Sequence, residues 1–242
     1  MSTVKNSTIH VSGVDVQVER KEIKNLHVGV YPPLGRVRVA APIQIDDEAV
    51  RLAVISRLSW IKRQIKSFQD QRRESKREMV SGESHYFLGK RYLLEVLYDS
   101  HKHYVVLKHS TIELHIKPGT TVENRYKLLQ EWYREQLNEI VNRLVDKWEN
   151  QINIKLNNYQ IKKMRTKWGS CNIEKKNILL NLHLARTPVE CIEYIIVHEM
   201  VHFLERHHND NFKILMDKFL PDWKRCRDLL NQGYLPYDEW AV

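Results

Sequence analysis

His198-Glu199-Met200-Val201-His202 places two metal donors and one carboxylate base within five consecutive residues. On an α-helix, residues four apart lie about 40° apart around the axis and about 6 Å along it. Both imidazoles can therefore reach one Zn²⁺ at about 2.0–2.1 Å. Glu199 stands beside that pair, placed to take a proton from a metal-bound water rather than to bind the metal. HExxH also arises by chance, so the surrounding residues decide its meaning.

Those surroundings read as a buried helix. Ile192, Ile195, Ile196 and Val197 precede the motif in an apolar run from Val189 to Leu204. Thr187, Pro188 and Glu190 suit an N-cap, the first helical position and a capping-box acid. Two histidines and a glutamate buried together without partners are costly, and a metal removes that cost.

A third ligand must come from downstream. Glu205 follows His198 by seven residues, which is about 10 Å along a continuous helix and too far for easy convergence. His208 follows His202 by six, giving H-E-x-x-H-x5-H, and a chain leaving the helix near Arg206 can bring it back. His207 is the competing donor. In the related pattern HExxHxxGxxH a glycine makes that turn; here the position is Glu205.

Further segments match a known pattern. Arg165-Thr166-Lys167-Trp168-Gly169-Ser170-Cys171-Asn172, Ile178-Leu179-Leu180-Asn181-Leu182, the HExxH helix and His207-His208-Asn209-Asp210-Asn211-Phe212 follow one another. In this order they resemble the YgjP-like family of metal-dependent hydrolases, related to SprT-like and WLM metallopeptidases. The family signature is similar to R-x-K/R-W-G-S-C, an L-N strand, V-x-H-E-x-x-H, then N-H-x-x-x-F. The resemblance implies that His208 is the third ligand and that His207 replaces the usual Asn. It also implies a zincin-like metallopeptidase domain, and it extends over most of the chain.

These residues need elements to position them. The 242 residues, 42% of them hydrophobic, can build one large or two modest cores. No apolar run approaches the roughly 18 residues of a membrane span. No signal-peptide core follows Met1, and three scattered cysteines (Cys171, Cys191, Cys226) argue against a disulfide framework, so a cytoplasmic setting is expected.

The pattern is α+β, without a regular βαβ repeat. A β-rich N-terminal domain is expected over residues 1–118 and a helical, zincin-like domain over 119–242, carrying an edge hairpin and the HExxH helix. Alternation at Ile9, Val11, Val14, Val16, Val18, Val28, Val30, Val37 and Val39 predicts strands, with turns at Ser12-Gly13 and Pro32-Pro33-Leu34-Gly35. Asp46 or Asp47 caps one helix bearing Val50, Val54, Leu58, Ile61 and Ile65. Four short strands follow between Tyr86 and Ile116, and Pro118-Gly119 marks the boundary.

A long helix then starts at Thr120, with Glu123 completing a capping box and a core stripe from Leu129 to Trp148. Two helices, Asn211–Leu220 and Asp222–Gln232, close the chain, with Gly233 at C′.

The strand Ile178–Leu184 is the expected edge beside the metal helix, free to pair with an extended peptide. Around it, Lys167, Trp168, Gly169 and Ser170 are candidate substrate contacts, and Arg165 or Lys167 is a candidate oxyanion stabiliser. Gly169 allows close backbone approach. Cys171 has no neighbouring His or Asn to make it a nucleophile, and Cys191 is expected beneath the site.

Charge bears on the partner. The net charge is +9, and residues 155–176 hold Lys155, Lys162, Lys163, Arg165, Lys167, Lys175 and Lys176 against Glu174 alone. Such a field attracts nucleotides, nucleic acid or acidic peptides. The expected function is a zinc-dependent hydrolase, first a metallopeptidase with Glu199 as general base. The alternatives are a nucleoside triphosphate pyrophosphatase, an activity linked to relatives of the family, and a SprT-like DNA-associated protease or non-catalytic DNA-binding module. Mn²⁺, Co²⁺ or Ni²⁺ can replace Zn²⁺ on histidine ligands.

Overall fold

A computed structural model describes residues 5–31, 35–70, 77–99, 101–164 and 167–232. The expected turn at Pro32-Pro33-Leu34 and the C′ position Gly233 lie outside these residues. The fold mixes sheets in the N-terminal half with helices after them, as the α+β pattern predicts. Two compact units fall within Met1–Ser75 and Lys76–Gly233.

In the first unit, β1 (Lys5–Val11), β2 (Val14–Lys21), β3 (His27–Tyr31) and β4 (Arg36–Pro42) form a sheet of order β1-β2-β4-β3. Its alternating valines are buried with Val50, Val54 and Ile61. Asp46 caps α1 (Asp47–Ser56), its carboxylate accepting from the Ala49 amide at 2.8 Å. The single helix expected over residues 46–65 is two: α2 (Leu58–Asp70) begins after Arg57, which leaves helical geometry. The Ser56 hydroxyl donates to the Ala53 carbonyl at the break, a back-bond that bends helices.

The second unit opens with β5 (Ser84–Phe87), β6 (Lys90–Leu97), β7 (Tyr104–Leu107) and β8 (Thr111–His115), in the order β5-β6-β8-β7. That is the arrangement of the first sheet repeated: a hairpin, a parallel pair, then an antiparallel edge. Both first hairpins close on two residues at positive φ, Ser12-Gly13 (49° and 84°) and Leu88-Gly89 (47° and 80°), the signs of a type I′ turn. The boundary expected at Pro118-Gly119 falls inside this unit. The reason is packing: Phe87, Leu94, Ile112 and Leu114 share one core with the long helix and the HExxH helix.

The long helix is α3 (Val122–Ile152), capped by Thr121 rather than Thr120; the Thr120 hydroxyl donates instead to the Lys117 carbonyl. A third sheet has the order β10-β11-β9, with β9 (Asn158–Lys162), β10 (Gly169–Asn172) and β11 (Asn177–Asn181). β11 pairs with β10 on one side and with β9 on the other. The expected edge strand Ile178–Leu184 is therefore a central strand with both hydrogen-bonding sides used, and it turns 3₁₀ at Leu182–Arg186. The edges of this sheet are β10 and β9.

The second hairpin docks where the HExxH helix begins. Leu88 and Gly89 amides donate to the Ala185 and Arg186 carbonyls at 2.9 and 3.1 Å. A Cβ on Gly89 would lie 2.8 Å from the Pro188 ring, so that hairpin tip must be glycine. α4 (Val189–Val201) starts after Pro188; the Thr187 hydroxyl donates back to Leu184 and does not cap α4. α5 (Asp210–Phe219) and α6 (Trp223–Gln232) follow within a residue or two of expectation. Among the described residues no helix is long and apolar enough to cross a membrane.

Candidate metal centre

α4 is buried on nearly every side, with Cys191, Ile192, Ile196, Val197, Met200 and Val201 inaccessible. It ends at Val201, five residues before the exit expected near Arg206, with His202 at its C-cap. The Leu204 and Glu205 amides both donate to the Val201 carbonyl, which tightens the last turn without a glycine. The Glu205 carboxylate then accepts from the His207 amide at 3.0 Å. Asn209 caps α5, accepting from the Phe212 amide at 3.0 Å. Together these bonds bring His208 back over the helix end.

The donor atoms of His198, His202 and His208 lie within 4.8 Å of one another. His207 is outside that group and exposed. The Nε2 atoms of His198 and His208 are 3.0 Å apart. His202 Nδ1 donates to the Glu205 carbonyl at 3.2 Å, so its Nε2 presents a lone pair. Burial, then the neighbouring His202 and His208, push His198 down to about 3. Burial lowers His202 as well. His198 and His202 are thereby biased to the neutral form that a divalent ion requires of its ligands, and this donor set fits zinc.

Phe212 backs all three rings. Its centroid is 5.0 Å from His198, 4.8 Å from His202 and 4.7 Å from His208, and the side chain is buried. The N-H-x-x-x-F segment contained it, yet spacing alone gave no reason to count it with the site.

Glu199 is 5% exposed. Burial pushes its carboxyl up to about 7, against the lowering effects of a Cys171 hydrogen bond and the Lys167 charge. A Cβ on Gly169 would lie 2.6 Å from Glu199 Oε1 and 2.8 Å from Ile195 Cγ2. The Cys171 thiol is pushed up to about 11 by burial and then by the Glu199 charge. It stays protonated, which removes it as a nucleophile. Cys191 is buried at the other end of α4, its sulfur 3.9 Å from the Cys226 carbonyl.

An open cleft of about 820 Å³ is lined by the three histidines, Glu199, Lys167 and the strand Gly169–Asn172. Ser170 lines it too, whereas Trp168 packs against the core. Arg165 lies outside the described residues. Buried Asn181 holds the approach to β10: its amide donates to the Met164 and Lys167 carbonyls, both at 2.8 Å, and its oxygen faces the Met164 and His183 amides. The L-N motif marked this residue without revealing that clamp.

The sequence model of the YgjP-like metallopeptidase domain matches residues 24–233. Among solved structures, the chain is similar to the metallopeptidase zymogen abylysin of Pyrococcus abyssi, at 18% identity and a TM-score of 0.35 over 37% of this chain and 90% of that one. It is also similar to the zymogen jannalysin of Methanocaldococcus jannaschii, at 25% identity and a TM-score of 0.33 over 40% and 94%. No curated protein matches.

Proposed function

The chain belongs to the YgjP-like metallopeptidase family, and from that premise we propose a zinc-dependent peptidase of zincin-like architecture. His198, His202 and His208 would hold the ion and Glu199 would act as general base. What supports this best is three imidazoles converging beside one buried carboxylate in an open cleft. Bound there, zinc supplies a Lewis acid and lowers the pKa of water towards about 7.

The remaining chemistry belongs to the chain. Glu199, pushed up to about 7, exchanges a proton readily near neutral pH. It takes one from the attacking water on a carboxylate oxygen and gives it to the leaving amine. The Cys171 thiol, donating to that carboxylate, holds it in place. Lys167 is the cation positioned to stabilise the oxyanion, a role the sequence shares with Arg165. The outer edge of β10 is unpaired among the described residues. An extended peptide adds there as a further strand, its backbone bonding along Gly169, Ser170 and Cys171.

The test is metal content of the purified protein with turnover of casein and of a nucleoside triphosphate panel, before and after chelation. About one equivalent of zinc and chelator-sensitive casein cleavage is the expected result. Pyrophosphate release without peptide cleavage moves the assignment to nucleotides.

A further inference from the structure

The metal cleft does not end at β10. Asn172, Ile173 and Glu174 line its far end, and Glu174 also lines a second open hollow of about 600 Å³ that includes Lys155, Lys175 and Lys176. Across both hollows five exposed cations, Lys155, Lys167, Lys175, Lys176 and Arg206, face Glu174 and the proposed base Glu199 as the acids. None of the five makes an ion pair among the described residues.

The lysines are held in place rather than carried on a loose loop. The Asn172 side chain accepts from the Lys175 amide at 2.8 Å, and the Asn157 amide donates to the Lys176 carbonyl at 2.9 Å. Lys176 sits at φ 47°, where glycine or asparagine is the less strained choice.

We propose that this hollow is an extended subsite that selects acidic peptide segments, drawing them along β10 into the metal cleft. The inference rests on the peptidase reading and deepens it. Gly169 lies against Glu199, and Asn172 is three residues further along the strand, about 10 Å away. A peptide paired with β10 therefore reaches the lysines at about the third to fifth residue from the scissile bond. Charges there lie within a Debye length of one another and act together at low salt. A peptide suits the surface better than nucleic acid. Lys175 and Lys176 lie in the turn that directly follows β10, and the second hollow has no aromatic lining on which bases could stack.

Binding isolates the claim from catalysis. Zinc-loaded Glu199→Gln protein is titrated by fluorescence anisotropy with two labelled ten-residue peptides, one with three Glu at those positions and one with three Gln. The acidic peptide is expected to bind about tenfold tighter at low salt and about twofold tighter near 0.5 M. In the same background Lys155→Glu/Lys175→Glu/Lys176→Glu abolishes or inverts that ratio; Lys175→Glu alone reduces it and serves if the triple variant does not fold. Equal affinity for both peptides overturns the proposal, as does a ratio indifferent to charge reversal. An oligonucleotide whose binding alone responds to reversal assigns the surface to nucleic acid instead. Acid preference in binding without cleavage of either peptide by wild type sinks the peptidase reading and leaves the anion subsite standing.

Discussion

Gly169 and Glu199 come so close that a single methyl on the glycine would lie 2.6 Å from Glu199 Oε1. The backbone of the cleft strand thus forms one wall of the carboxylate's pocket. Gly169→Ala should displace Glu199 without touching the histidines. The expected outcome is a loss of at least about 100-fold in kcat, the lower range for removing a positioned general base, with zinc content unchanged. Near-normal turnover in that variant would mean the carboxylate is free to move.

Asn181 places four hydrogen bonds on one buried amide. Replacing it with Ala leaves the Met164 and Lys167 carbonyls without their donor and should cost about 2–4 kcal/mol. Denaturant unfolding of the zinc-loaded protein measures this. A change below about 0.5 kcal/mol would refute the clamp.

Phe212 touches all three imidazoles. Phe212→Leu keeps the apolar volume roughly while removing the flat ring face, so ring orientation suffers more than stability. Zinc affinity is expected to fall about 10- to 100-fold, as for other groups that orient ligands. Competition with a chromophoric chelator reads it directly.

Metal removal should register in stability. Without an ion the Nε2 atoms of His198 and His208 still face each other at 3.0 Å, and the burial of His198 is not offset. Each tenfold excess of free zinc over its Kd adds about 1.4 kcal/mol to the folded state. Thermal unfolding in chelator and in graded zinc should therefore show a concentration-dependent rise in Tm. A flat Tm would argue that the three histidines bind no ion.

Much of this was legible in the residues, for reasons tied to local pattern. Valine alternation between Ile9 and Val39 marks strands because only a period of two buries one face. The apolar run before His198 marks a buried helix because it is apolar on every face. Pairing between distant strands is not written locally. Asn158–Lys162 falls within the basic stretch 155–176, yet it returns parallel to β11 and occupies the side that Ile178–Leu184 was expected to keep open. The shared topology of the two four-stranded sheets is equally hidden, since it lies in order and turn geometry rather than in repeated residues. At the metal centre, spacing brought His198 and His202 together. The choice of His208 over His207 depends on bonds made by Glu205 and Asn209 that no periodicity reveals.

The most direct test of the central claim is Glu199→Gln, assayed for zinc by mass spectrometry and for peptide turnover at saturating substrate. Glutamine keeps the shape beside Gly169 and cannot accept the proton. Full zinc occupancy with kcat reduced about 100- to 10,000-fold is the expected result. Wild-type turnover with zinc retained would contradict the general-base role and with it the proposed mechanism.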